Sequence, residues 1–116
     1  MITFEIPGEP MSKERPRHAR GHTYTPARTI AAEARILTAW LAQRDRRMYY
    51  GDIAVTINFH SATRIRRDLD NMAKLCLDAL NKHAYCDDSQ IQALRITRRY
   101  VPKGTASTTI TITELS

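Results

Sequence analysis

Two aspartates one residue apart, Asp68 and Asp70, stand directly behind an arginine run in the stretch RIRRDLDNMAK, and Lys74 follows four positions after the second acid. Carboxylates this close repel each other and stay ionised at neutral pH only beside a compensating charge. Magnesium supplies one, because it takes hard oxygen ligands and usually keeps several of its waters. In an extended chain, residues two apart face the same side, roughly 6.5 to 7 Å from each other. Both carboxylates would then reach one ion if the backbone is still extended from Asp68 to Asp70. A plainer use exists: one aspartate caps a helix, worth about 1 kcal/mol, and the other is solvated. Lys74 likewise has two uses. Its spacing from Asp70 suits a helical ion pair, and its charge suits a scissile phosphate or a developing oxyanion.

A second acidic pair, Asp87 and Asp88, lies in YCDDSQ beyond the far end of the same predicted helix. A helix over about 70–83 rises roughly 20 Å. The two pairs meet only if the chain after YCDDSQ runs back beside the helix start, for instance by pairing with the strand that ends near His60. In a plain turn, Asp-Asp needs no further function.

Cations dominate elsewhere. Lys13, Arg15, Arg17 and Arg20, with His18 and His22, fill the segment Met11–Tyr24, and Arg64, Arg66 and Arg67 precede the first acidic pair. The net charge is +6; residues 68–88 hold five acids and two lysines, a local −3 that leaves +9 on the rest. A basic protein with one acidic island fits a polyanion binder with a cation site set into it. The bland alternative is a basic surface that only aids solubility.

The elements that must position these residues follow from periodicity. Ile2, Phe4 and Ile6 alternate as a strand that ends at PGEP. Met11–Tyr24 has no period and reads as a basic loop or arm. Thr25 and Pro26 read as an N-cap and first helical position. The stripe Ile30, Ala34, Leu37, Leu41, with Trp40 beside it, predicts a helix to about Arg47 with that stripe in the core. Ile53, Val55, Ile57 and Phe59 alternate as a half-buried strand. A second helix buries Leu69, Met72, Cys76, Ala79 and Leu80. IQALRITRRYV and STTITITE read as two more strands, joined as a hairpin through Pro102 and Gly104. The order predicts an α+β fold: one domain over residues 1–116, with a mixed sheet of about four strands and two helices packed on one face.

Several classes are excluded. No run approaches the roughly 18 apolar residues of a membrane span, and the acidic, proline-containing start does not read as a signal peptide, so a cytoplasmic protein is expected. Cys76 and Cys86 are the only cysteines, too sparse for a structural zinc site, and free thiols are expected.

The combination RRDLDNMAKLCLDAL followed by DDSQI resembles the RusA family of Holliday-junction resolvases, small endodeoxyribonucleases of bacteria and their phages. IPGEPMSKERPR and YTP before the first helix are similar to the start of many members, so the resemblance covers most of the chain. It implies a two-fold homodimer that cuts four-way junction DNA with magnesium, manganese substituting. It implies metal ligands at Asp68, Asp70 and Asp88, with Asp87 as the alternative third, and an active-site lysine at Lys74. On this reading Arg64, Arg66 and Arg67 hold the DNA backbone beside the metal, and strand alternation sends Arg67 to the face opposite Arg64 and Arg66. Lys13, Arg15, Arg17 and Arg20 form a second phosphate-binding surface. The rivals are a DNA-binding regulator without catalysis and a nuclease for other branched DNA.

Overall fold

The computed structural model describes residues 1–14 and 17–115, without the side chain of Arg17; Arg15 therefore lies outside the described residues. Eight elements follow one another: β1 (Ile2–Pro7), β2 (Arg17–Ala19), β3 (His22–Tyr24), α1 (Ala27–Leu41), β4 (Ile53–Ser61), α2 (Leu69–Leu80), β5 (Ile91–Tyr100) and β6 (Ser107–Glu114). Four of the strands form one mixed sheet in the order β1-β6-β4-β5. Strand β4 runs antiparallel to β6 and parallel to β5.

The alternation in the sequence becomes two chemically different sheet faces. Phe4 and Ile6 of β1, Ile110 and Ile112 of β6, and Ile53, Val55, Ile57 and Phe59 of β4 are buried on one side. Helix α1 covers this side with Trp40, whose ring meets Phe4 edge-on at 5.4 Å between centroids. Helix α2 covers it with Met72, Ala73, Leu75, Cys76, Ala79 and Leu80. The other face carries half-buried polar residues, among them Asn58, His60, Thr109 and Thr111. The expected single domain, with a four-stranded mixed sheet and two helices, is what forms.

Five local expectations are corrected. The core stripe of α1 is Thr29, Ala32, Ile36 and Trp40, while Ile30 and Leu41 are 56% and 48% exposed. Both stripes have helical spacing. Burying the large indole against Phe4 removes more apolar surface than burying Leu41, and this selects the register. The helix also ends at Leu41 rather than near Arg47, and its N-cap position is Pro26 rather than Thr25. The chain must turn there to bring Tyr49 inward, where its N–H donates to the Ala84 carbonyl at 2.8 Å.

The basic arm is a β-hairpin rather than a loop. β2 pairs only with β3, through a two-residue turn in which Arg20 (φ 52°) and Gly21 (φ 79°) both take left-handed backbone. Turns of this kind match the twist of hairpin strands.

Finally, β5 and β6 do not form a hairpin. The connection through Pro102 and Gly104 carries the chain past the end of β4, and β6 inserts between β1 and β4. Residues Ile110 and Ile112, fully buried, earn a central position, while the arginine-rich β5 takes the edge.

Candidate active site

Strand β4 delivers the chain to the acidic site, and its exit is held by a side chain from the opposite end of the sequence. The Glu9 carboxylate accepts hydrogen bonds from Ser61 Oγ and from the Ala62 N–H, the latter at 2.8 Å. Residues 62–68 then cross to α2 without strand geometry, so alternation does not sort the arginines. Arg66 and Arg67 line one pocket together, contrary to the expectation that they part to opposite faces. Arg64 lies over the Tyr100 ring, 3.9 Å from its centroid, a cation–π contact.

Helix α2 starts at Leu69. Asp68 holds the N-cap position with extended backbone (φ −69°, ψ 129°), but its carboxylate makes no capping hydrogen bond. Asp70 is already helical, so the expectation of extended chain through both acids fails at the second. The Asp70 Oδ1 accepts from the Asn71 N–H at 2.9 Å. Both acids are exposed at the N-terminal end of the helix. Lys74 is exposed and forms no ion pair with Asp70 or any other described residue.

The pocket at this end, about 400 Å³, is lined by Arg66, Arg67, Asp68, Leu69, Arg98 and Tyr100. Arg98 and Tyr100 were not anticipated as functional, since in the sequence they are only part of a strand. Arg98 Nη1 donates to the Arg67 carbonyl at 2.8 Å and lies 3.6 Å from the Met72 Sδ. The end of β5 thus braces the turn that presents Asp68.

Asp88 does not join Asp68 and Asp70 within the chain. Strand β5 does pair with β4, but in parallel, so its start lies beside the start of β4 at Ile53. The Asp68 pocket sits at the other end, with Arg98 and Tyr100. Strand β5 alone advances roughly 23 Å between residues 91 and 98. Among the described residues no three His, Cys, Asp or Glu side chains cluster to hold a metal ion.

The two acids at the far end are not equivalent. Asp87 caps the 3-10 turn Asp88–Gln90, its Oδ2 accepting from the Ser89 N–H at 3.1 Å, and this bonding holds its carboxyl below the usual range. Asp88 is exposed, and its carboxylate has no hydrogen-bond or ion-pair partner among the described residues. Gln90 anchors the turn: its Oε1 accepts from the N–H groups of Cys86 and Asp87, and its Nε2 donates to the carbonyls of Tyr49 and Gly51, each bond 2.8 or 2.9 Å. Only the fold, which brings residues 49–51 alongside, reveals this use of the glutamine.

Of the basic arm, Lys13 is tied inward. Its ammonium pairs with Asp78 on α2, and its N–H donates to the Asn71 carbonyl at 3.3 Å. Arg20 projects from the tip of the β2–β3 hairpin, where all described side chains are exposed. The cysteines are free, Cys76 buried and Cys86 half-buried. No described helix is long and apolar enough to cross a membrane.

Comparison with known proteins bears on this arrangement. Residues 7–113 match the family model described as endodeoxyribonuclease RusA. The chain is 34% identical to the crossover junction endodeoxyribonuclease RusA of Escherichia coli strain K12 over 121 residues, 99% of this chain and 98% of the relative. The same identity and coverage hold for the protein of that name from Enterobacteria phage 82. The Shigella sonnei strain Ss046 protein is 33% identical over the same span.

Proposed function

The chain belongs to the RusA family of endodeoxyribonucleases, and on that premise we propose that it resolves four-way DNA junctions by paired, metal-dependent nicks as a two-fold homodimer. The observation that carries this reading is the Asp68 carboxylate. It holds the N-cap position without making the cap bond and opens into a pocket lined by three arginines. A capping aspartate would be used up locally; this one is available to a ligand.

Asp68 and Asp70 offer hard oxygen donors of the kind magnesium takes, and manganese accepts the same ligands. Two carboxylates leave the set short. The partner's Asp88 completes it if two chains associate with their β5 strands antiparallel, which places the Asp88 end of one strand beside the Tyr100 end of the other. The outer edge of β5 supports this, being unpaired over ten residues with Leu94 43% exposed. Edges of this length are normally protected or paired. Leu94→Glu should then weaken dimerisation and cleavage together; a stable dimer in that variant would move the interface elsewhere.

Bound there, a divalent cation would lower the pKa of a water and neutralise charge at the phosphoryl group. The chain's own residues do the rest. Arg66 and Arg67 hold the phosphate backbone at the mouth of the pocket, and Arg98 fixes the turn that aims Asp68. Lys74, exposed one helical turn beyond Asp70, stabilises negative charge as the leaving oxygen departs. Arg20 on the hairpin reaches a more distant phosphate.

The test is cleavage of a synthetic four-way junction and a matched linear duplex with magnesium, with manganese and with EDTA. Paired nicks on the junction alone, abolished by EDTA, are expected. Tight junction binding without cleavage under either metal would overturn the reading in favour of a binding protein. Equal cleavage of flaps and junctions would assign a broader branched-DNA nuclease.

A further inference from the structure

The pocket at Asp68 lies on the helix-covered side of the sheet, where the even-numbered residues of β5 point. On the uncovered side a second pocket of about 280 Å³ is lined by Asn58, His60, Arg95, Thr97 and Arg99. We propose that this pocket is a second DNA-backbone site, gripping a duplex arm other than the one presented to Asp68. The inference rests on the nuclease reading for the identity of the polyanion and adds a surface to it.

Among the described residues the lining contains two guanidiniums, an imidazole, an amide and a hydroxyl, and no carboxylate. Neither the Arg95 nor the Arg99 guanidinium has a hydrogen-bond or ion-pair partner among the described residues. The remaining polar groups are already oriented. Thr97 Oγ1 donates to Asn58 Oδ1 at 2.5 Å, which leaves the Asn58 amide N–H groups directed to other acceptors. His60 Nδ1 lies 3.4 Å from Ser107 Oγ, which settles the ring toward β6. Strand pairing fixes the spacing, with Asn58 opposite Thr97 and His60 opposite Arg99.

That spacing suits a ligand that carries more than one phosphate. Arg95 and Arg99 are four residues apart on one strand, with α-carbons roughly 13 Å apart. At that separation the two guanidiniums can each take a different phosphate of one nucleic-acid strand. Arginine, planar and permanently charged, suits such contacts. The flanking face is hydroxyl-rich, through Ser107, Thr109, Thr111 and Thr113 of β6 and Thr56 of β4. Hydroxyls of this type also donate to phosphate oxygens.

The test compares Arg95→Gln/Arg99→Gln with wild type and with Arg44→Gln/Arg46→Gln, which removes equal charge from the segment after α1. Junction binding is measured in EDTA across a salt series, so its outcome does not depend on cleavage. The site variant should bind the junction more weakly at low salt and lose about 2 from the magnitude of the log–log salt slope per protomer. Arg95→Lys/Arg99→Lys should restore most of that slope. An unchanged slope in the glutamine variant, or an equal loss in the Arg44/Arg46 control, overturns the proposal. Conversion to monomers in sedimentation would overturn it too and assign the face to a contact between protein copies. Failure of wild type to cleave junctions would count against the nuclease reading alone.

Discussion

Arg98 reaches from the last turns of β5 to the backbone of Arg67, its Nη1 donating to that carbonyl at 2.8 Å. The bond ties the edge strand of the sheet to the residue directly before Asp68. A charged donor to a carbonyl contributes about 1.5 to 3 kcal/mol when shielded, and less where water reaches it. Its position matters beyond that stability, because the same guanidinium lines the pocket into which Asp68 opens.

Arg98→Ala is therefore expected to slow cleavage of saturated junction about 10-fold or more, since a small misplacement of a catalytic group is costly. Junction affinity should fall less than the rate. Single-turnover cleavage beside equilibrium binding checks this. A loss of affinity with an unchanged saturated rate would make Arg98 a binding residue only.

The separation of Asp68 from Asp88 predicts complementation. Asp70→Asn and Asp88→Asn chains should each be inactive, with cleavage down by more than about 100-fold, the upper range for losing a metal ligand's supporting group. On the proposed dimer, mixing and subunit exchange should give pairs in which one of the two shared sites is intact. Such dimers should nick one strand without completing resolution. Mixtures that stay silent despite demonstrated exchange would place all three acids of a site in one chain.

Burial pushes the Cys76 thiol up to about 12, with Arg35 opposing slightly. At pH 8 only about one thiol in 10,000 would be thiolate, the reactive form. Native protein should therefore label with a thiol reagent at Cys86 and not at Cys76, and urea should expose the second. The Cys76→Ala/Cys86→Ala variant should keep junction cleavage. Rapid native labelling at Cys76 would contradict its placement in the core.

Tyr85 is fully buried and its hydroxyl donates to the Leu77 carbonyl at 2.5 Å. Burial chiefly, then the charges of Asp88 and Asp78, raises its pKa above the ordinary 10.0. A raised folded-state value favours the protonated form, so its stabilisation is complete below about pH 10 and lost as pH rises above that. Urea midpoints should fall above pH 10 in wild type. Tyr85→Phe should be less stable at neutral pH by about 1 kcal/mol and should show a shallower alkaline loss. Parallel alkaline curves for the two proteins would assign the loss to another group.

Much of this was legible in the residues themselves. Strands β1, β4 and β6 follow from strict alternation, and α2 from its stripe through Met72, Cys76 and Leu80. Helix α1 was legible as a helix but not in its rotation. Ile30 and Leu41 offered a stripe as regular as the buried one, and only the Phe4 ring selects Trp40. The hairpin of the basic arm was hidden because Arg20 supplies a left-handed turn position usually given to Asn, Asp or Gly. In the site, local spacing raised Asp68, Asp70 and Lys74 only as candidates with plainer uses, and the family resemblance gave them roles. Arg98, Glu9 and Gln90 act on residues 31, 52 and 41 positions away. Such partners exist only once the sheet order is known.

The parallel pairing of β4 with β5 has a consequence for regulation by quantity. If the third acid is delivered by a partner, as proposed above, an isolated chain has no complete cutting centre. In the dilute limit, cutting activity would then scale with the square of chain concentration, so halving the amount of protein would quarter the activity. A junction that gathers two chains would raise their effective concentration at the crossover, and stray chains along ordinary duplex would remain harmless.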